Sequence, residues 1–178
     1  MEVLDHEAGR VLVDDYDDGT RHVRVDMKDA SSFVPIRECR TTYDLQLIRL
    51  ILDFKGPAWL CDEIMRDEDP GYVQRSLEAG ILGYVPRAQL DGSRVLDFGC
   101  GGGASTVVLG RMLGAREIVG VDPEPDHLGI AQARLDFYGM SNVRLLLSPS
   151  SLDLPPDIGT FDFIVLNTVL EHLLPNER

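Results

Sequence analysis

The second half of the sequence predicts an α/β fold with a doubly wound, mostly parallel sheet. An apolar run at 94–98 contains Asp97 and leads directly into a glycine-rich turn at 99–103. A second apolar run, 118–121, ends at Asp122. Apolar strands that alternate with helical stretches are typical of a parallel sheet covered on both faces. Two acids at neighbouring strand ends beside one glycine turn indicate a nucleoside pocket.

Composition limits the classes of protein that this chain can represent. Its 178 residues suit one domain with an appendage, and 44% hydrophobic residues suffice for a core. The net charge of −13 disfavours nucleic acid as a partner, because such binding depends on neutralising phosphates. No apolar run reaches the ~18 residues of a membrane span. The three widely spaced cysteines and the acidic N-terminus predict a cytoplasmic protein without a metal site.

Residues 1–91 predict a mainly helical N-terminal extension. Asp18-Gly19 favours a small hairpin that continues into the weakly alternating stretch 22–27. Residues 41–44 offer caps for a helix that runs to about Phe54. Further helices are expected at 59–66 and 71–84. Aromatic residues of this extension either line a substrate lid or simply pack in a core; they are Trp59, Tyr72 and Tyr84.

Residues 92–178 then predict alternating strands and helices. Strands are expected at 94–98, 117–121, 143–147 and 161–166. Helices are expected at 103–113 and 125–138, with another that begins near Thr168. The second of these helices presents a stripe of residues that we expect to be buried: Leu128, Ala131, Leu135 and Tyr138.

The pocket's chemistry follows from the two acids. Glycines let the backbone of the turn approach a ligand, and the helix behind it offers free N–H groups. A carboxylate at Asp97 repels a pyrophosphate but attracts an ammonium group, which favours an amino-acid tail. Asp122 can accept two hydrogen bonds from a ribose diol. The alternatives are purely structural: Asp97 caps the loop amides, and Asp122 lies at a helix N-terminus.

These residues carry a resemblance to a known family. The segments 95–103 and 119–122 resemble the first motif and the following acidic strand end of class I S-adenosylmethionine-dependent methyltransferases. Residues 161–167 and 169–173 resemble the family's fourth strand and the "LEHL" helix of its small-molecule branch. The resemblance covers about 94–175. It implies a Rossmann-like sheet of seven strands, of which four are present here, and S-adenosyl-L-methionine as the cofactor.

The resemblance also implies which residues contact the cofactor. Asp97 and the glycines would hold the methionine part, Asp122 the ribose, and Pro123 the adenine. Many members have Gly-Asp-Ala after the third strand, whereas this chain has Ser148-Pro149-Ser150. The adenine contact therefore comes from Ser150, from a backbone group or from Asp153, or it is missing. The full expected set is Asp97, Phe98, Gly99, Cys100, Gly101, Gly103, Asp122, Pro123, Ser150 and Asn167.

Two further residues have both a catalytic and a structural interpretation. His172 is the candidate general base for an acceptor that must lose a proton, and packing of a helix is its structural alternative. Cys100 lacks a base nearby in the sequence, which favours a small side chain that fills the turn over a nucleophile.

The sequence therefore predicts methyl transfer to a small-molecule acceptor. The alternative is a non-catalytic cofactor-binding half-domain or subunit. A nicotinamide-dependent oxidoreductase is disfavoured, because Asp97 would then face a pyrophosphate. The apolar strand at 161–166 is followed by little more than one helix, so we expect either a fragment of a longer methyltransferase or a homo-oligomer or partner chain that completes the sheet.

Overall fold

The computed structural model describes residues 1–68 and 70–173, which divide into two compact units, Met1–Pro70 and Gly71–Arg178. This division differs from the predicted boundary between residues 91 and 92. Leu77 and Leu90 pack into the same buried cluster as Val95, so the helices that precede the first parallel strand belong to the second unit. The sequence pattern did not reveal this, because a helix's apolar stripe does not say which core it joins.

The first unit begins with an antiparallel sheet. Its strands are β1 Glu2–His6, β2 Gly9–Asp15, β3 Arg21–Met27 and β4 Glu38–Thr41, paired in sequential order. The predicted hairpin is confirmed as β2 and β3, with Val11 opposite Val25. The extension is nevertheless less helical than expected, since residues 1–41 form this sheet. Charged side chains on its exposed face, such as the Arg24–Asp14 ion pair, interrupt the apolar pattern of the strands.

Two helices follow in the first unit, α1 Leu45–Lys55 and α2 Pro57–Glu68. The predicted cap is confirmed: an oxygen of Asp44 accepts the backbone N–H of Leu47 over 2.8 Å, which satisfies one of the free donors at the start of α1. Gly56, with φ of 72°, ends α1. The buried residues of α1 recur at helical spacing and include Leu47, Ile48, Ile51 and Leu52.

The second unit contains the predicted parallel sheet. In chain order the elements of this unit are α3 Pro70–Leu77, a π-helical turn Glu78–Leu82, α4 Arg87–Leu90, β5 Arg94–Phe98, α5 Ala104–Met112, β6 Glu117–Asp122, α6 Pro125–Phe137, β7 Val143–Leu147, β8 Phe163–Val165 and a 3-10 turn Leu170–His172. The four strands pair in the order β7-β6-β5-β8, and every pairing is parallel. Chain order therefore reverses at β5, and all carboxyl ends lie at one edge, which confirms the doubly wound architecture.

The central strands of this sheet are buried on both faces. Val95 and Ile118 face one cluster with residues of α5, whereas Leu96 and Val119 face a second cluster with Ile158. Burial on both faces explains why β5 and β6 are nearly continuous apolar runs.

Helix α6 buries a different stripe from the predicted one. Ala131 and Leu135 are buried as expected, but Leu128 and Tyr138 are only half-buried. Ile130 and Arg134 are buried in their place. Arg134 donates from Nη1 to the backbone carbonyl of Gly102, so this helix turns a charged residue toward the glycine loop. The burial of Arg134 was missed because a prediction based on apolar residues alone places every arginine at the surface.

Strand β8 lies at the edge of the sheet and is shorter than predicted. Phe163 and Val165 pack on the core, whereas Ile164 is 58% exposed. The described part of the second unit contains these four strands, as expected from the sequence. In the part of the chain that the structure describes, no helix is long and apolar enough to cross a membrane.

Candidate functional site

The glycine-rich loop 99–103 joins β5 to α5 and is fastened to the end of β6. The backbone N–H groups of Gly99 and Cys100 both donate to the carbonyl of Val121, over 2.9 and 3.0 Å. The loop therefore lies directly over the carboxyl ends of the two central strands, as the sequence predicted.

The glycines of this loop divide into two roles. Gly99, Gly101 and Gly103 all have positive φ, at 72°, 52° and 83°. A Cβ at Gly103 would lie 2.9 Å from that of Ala131, and a Cβ at Gly99 would lie 2.7 Å from Cγ2 of Val169. These two positions are glycine because protein packs against them. At Gly101 no described atom lies within 4 Å of the Cβ position, so this is where the loop backbone faces open space.

Asp97 is a fully buried carboxylate on β5. Its Oδ2 accepts hydrogen bonds from the hydroxyls of Thr106 at 2.7 Å and Ser105 at 3.3 Å. Among the described residues, nothing donates to its Oδ1. Burial raises the pKa of Asp97 to about 6, against the opposing effect of the two hydroxyls, and the charge of Asp122 adds to the rise. The site therefore holds an acid whose charge lacks a cationic partner within the described protein.

Asp122 ends β6 and is held from three directions. Its Oδ2 accepts the N–H of Gly101 over 2.9 Å, and its Oδ1 accepts the N–H of Glu124 over 3.0 Å. Nδ1 of His127 lies 3.1 Å from the same Oδ1. Burial alone would raise the pKa of Asp122, but the hydrogen bonds from His127 and the two amides outweigh it and leave the pKa lowered.

Cys100 is buried within the loop. Burial raises the pKa of its thiol far above the ordinary value, and the charges of Asp97 and Asp122 act in the same direction. Its Sγ would lie 3.1 Å from a Cβ placed on Gly120 of β6. A thiol without thiolate character that fills the space beside a strand glycine supports the structural interpretation of Cys100 over the nucleophilic one.

The remaining expected cofactor residues lie around this edge. Phe98 is half-buried at the end of β5 and packs on the cluster of Leu96, and Pro123 is half-buried directly after β6. The turn that contains Ser150 lies beside Asp122, because the N–H of Ser148 donates to the Asp122 carbonyl over 3.0 Å.

Ser150 and Asn167 are themselves engaged in local turns. The hydroxyl of Ser150 donates to Asp153 Oδ2 over 2.8 Å and accepts the amide of Asp153. Asn167 follows β8, and its carbonyl accepts the hydroxyl of Thr168. The contacts of Pro123, Ser150 and Asn167 with a cofactor stay predictions, as do those of the other expected cofactor residues.

His172 lies in the 3-10 turn after β8, with its side chain exposed. The expected helix from Thr168 is thus a single turn within the described residues, and Thr168 itself has φ of 55°. The catalytic role of His172 stays a prediction. So does the lid: Trp59 and Tyr84 are exposed, and the side chain of Tyr72 lies outside the described residues.

Three side-chain contacts of the two acids were not anticipated from the sequence. Ser105 and Thr106 follow the glycine loop at the start of α5, where hydroxyl residues would be ordinary helix-start residues. His127 follows Asp122 by five residues and lies in the first turn of α6, where its Nδ1 is 3.1 Å from Oδ1 of Asp122. The short separation of His127 from Asp122 was the available signal for this contact. A search for metal-ligand spacing does not detect it, because one histidine and one acid do not form a ligand set.

Fold and site together define a doubly wound α/β domain that carries acids at two neighbouring strand ends beside a glycine-rich loop. Residues 95–178 match the family model described as "Methyltransferase domain". The chain is 30% identical over 153 residues to the mitochondrial ubiquinone biosynthesis O-methyltransferase of Bos taurus, an alignment that covers 80% of this chain and 40% of the relative. It is 35% identical over 123 residues to the arsenite methyltransferase of Aquipseudomonas alcaligenes, covering 64% of this chain and 34% of the relative.

A solved structure described as a putative sarcosine dimethylglycine methyltransferase from Galdieria sulphuraria is similar with a TM-score of 0.45 and 21% identity, covering 53% of this chain and 34% of that one. The chain spans 40% or less of the length of each of these relatives. The family match and the curated relatives agree with the motifs at 95–103 and 119–122. These matches support the assignment of residues 95–178 to the class I S-adenosylmethionine-dependent methyltransferases.

Proposed function

We propose that this chain binds S-adenosyl-L-methionine at the carboxyl edge of β5 and β6 and takes part in methyl transfer to a small-molecule acceptor. The observation that carries the proposal is the pairing of Asp97 and Asp122 across the glycine loop. Asp97 meets the ammonium of the methionine tail, and Asp122 accepts hydrogen bonds from the ribose.

The described residues fit this ligand in three respects. Oδ1 of Asp97 accepts no hydrogen bond from the described residues, so an ammonium group that reached this buried side chain would supply the donor that it lacks. The backbone at Gly101 faces open space. Helix α5 begins after Gly103 without a side-chain cap, so its first amides and its positive end remain available to the carboxylate of the methionine tail.

The main task of this chain in methyl transfer is to orient the bound cofactor. When bound, S-adenosylmethionine supplies a methyl group that its sulfonium already activates. The two acids and the loop then have to fix the ligand so that the methyl group meets the acceptor in line. A base is needed only where the acceptor must lose a proton, and His172 is our proposal for that role.

The acceptor class rests on the relatives. One relative is an O-methyltransferase of ubiquinone biosynthesis and another is an arsenite methyltransferase, so both names point to small-molecule acceptors. The net charge of −13 opposes a nucleic-acid acceptor. We further propose a cytoplasmic location, and a second copy or a partner chain against the exposed edge of β8.

Calorimetric titration with S-adenosylhomocysteine, and with NADH as the control ligand, tests the binding half of this proposal. We expect binding of the first and none of the second. Transfer of labelled methyl groups from S-adenosylmethionine to small molecules of a cell extract tests the catalytic half. Binding without transfer would favour the alternative, a cofactor-binding half-domain, and no binding of S-adenosylhomocysteine would contradict both.

A further inference from the structure

The acceptor positions of the Asp122 carboxylate are almost fully occupied from within the chain. A carboxylate offers about four lone-pair positions, two on each oxygen. Oδ2 receives one donor, the amide of Gly101. Oδ1 receives the amide of Glu124 and lies 3.1 Å from Nδ1 of His127, so a protonated Nδ1 fills its second position. The described residues therefore leave one position open, on Oδ2.

A ribose diol brings two hydroxyl donors to this carboxylate, and one position does not accommodate both. The two amides belong to backbone that the strand end fixes: the loop before Gly101 is held on Val121, and Glu124 directly precedes α6. His127 is a side chain in the first turn of α6, 26% exposed, and it can leave by rotating about its own bonds. It is the donor that a second hydroxyl can replace.

We propose that His127 is an internal competitor of the ribose: it occupies one hydroxyl's place on Asp122 in the free protein and leaves when the nucleoside binds. This inference rests on the proposed function, because it assumes that the ribose binds at Asp122. Its consequence is that part of the binding energy of the nucleoside is used to displace the imidazole, so the chain binds its ligand more weakly than the two acids alone would allow.

The test compares two substitutions of His127 by calorimetric titration with S-adenosylhomocysteine. His127→Leu removes the donor, and we expect affinity to increase about fivefold, the effect of one hydrogen bond. His127→Asn places an amide nitrogen where Nδ1 stands, and its affinity should stay within about twofold of the wild type. A structural role for His127 would act in the other direction, because a loosened α6 would weaken binding in the leucine variant.

A second pair of ligands tests whether the gain in affinity depends on the ribose diol. Adenosine should gain affinity in His127→Leu by the same factor, whereas 2′,3′-dideoxyadenosine should gain none. An equal gain for both ligands would overturn the inference, as would equal or weaker binding of S-adenosylhomocysteine in the leucine variant. In either case wild-type binding of S-adenosylhomocysteine leaves the proposed function standing; its absence in the wild type would overturn the proposed function as well.

Discussion

The backbone N–H of Gly101 donates to Oδ2 of Asp122 over 2.9 Å, so the glycine loop and the acid of the next strand form one connected structure. The sequence presents them as two separate motifs, 21 residues apart. Their hydrogen bond means that Asp122 both accepts a ligand's hydroxyls and fixes the loop at the position where its backbone is open. A change at either residue is therefore expected to act on ligand binding through the other.

Replacement of Asp122 is the most direct test of the ribose contact. Hydrogen bonds to a charged group contribute roughly 1.5–3 kcal/mol each. With two such bonds lost, Asp122→Ala should weaken binding of S-adenosylhomocysteine at least about a hundredfold, measured by calorimetry. Asp126→Ala, which removes an exposed acid from the first turn of α6, is the matched control and should bind as the wild type does. Unchanged affinity in Asp122→Ala would contradict the assignment.

A side chain at Gly101 should obstruct the ligand while the sheet stays folded. The space beyond its Cβ position is open, so Gly101→Val clashes with no described atom, although φ of 52° makes a β-branched residue strained there. We expect binding of S-adenosylhomocysteine to be lost, with the circular dichroism spectrum retained. Gly129→Val is the control, because this exposed glycine of α6 also has nothing within 4 Å. Wild-type affinity in Gly101→Val would exclude a close approach of ligand to this backbone.

The buried charge of Asp97 should cost stability at neutral pH. Its pKa of about 6 in the folded chain lies above the ordinary 3.8, so the folded state binds the proton more tightly and stability falls as pH rises from about 4 through 6. A shift of this size corresponds to about 3 kcal/mol. Asp97→Asn should therefore unfold at higher denaturant concentration than the wild type at pH 7.5, and the difference should vanish near pH 4. A variant less stable than the wild type at pH 7.5 would show that the carboxylate is better satisfied than its surroundings indicate.

Protonation of Asp97 should also lower the affinity for S-adenosylhomocysteine. Below pH 6 the free protein carries a neutral Asp97, which no longer attracts an ammonium group. Affinity for S-adenosylhomocysteine should fall by up to about tenfold for each pH unit below this point. 5′-Methylthioadenosine has the adenine and ribose but no amino acid, so the ratio of the two affinities isolates Asp97 from any titration near Asp122. A ratio that is constant between pH 5 and 7.5 would place the ammonium elsewhere.

The parallel sheet was predictable because its determinants are local. β5 and β7 have the bounds that their apolar runs predicted, and α6 begins at the proline expected to start it. The first sheet was less predictable, since its strands alternate buried valines with charged residues that pair across the exposed face, and such patterns resemble loops.

Within the candidate site, the sequence identified the charges but not their partners. Asp97 and Asp122 lie at the carboxyl ends of β5 and β6 as expected, because the end of each apolar run marks where its strand ends. The hydroxyl of Thr106 and the imidazole of His127 reach these acids only through the placement of α5 and α6. Helices α3 and α4 belong to the second unit because their apolar residues pack in its core. A local sequence pattern does not show which core a helix joins.

The exposed edge of the second sheet should make the chain self-associate. Ile164 is 58% exposed on the edge strand β8, whose outer backbone groups pair with no described strand. Exposed apolar edges favour pairing with another chain. We expect the mass measured by analytical ultracentrifugation to rise with concentration, and Ile164→Lys to reduce that rise. Val3→Lys makes the same change at a 45% exposed residue on β1, the edge strand of the first sheet, and serves as the control. A wild-type chain that stays monomeric at high concentration and unfolds in one cooperative transition would contradict this expectation, since the edge would then be stable in water without a partner.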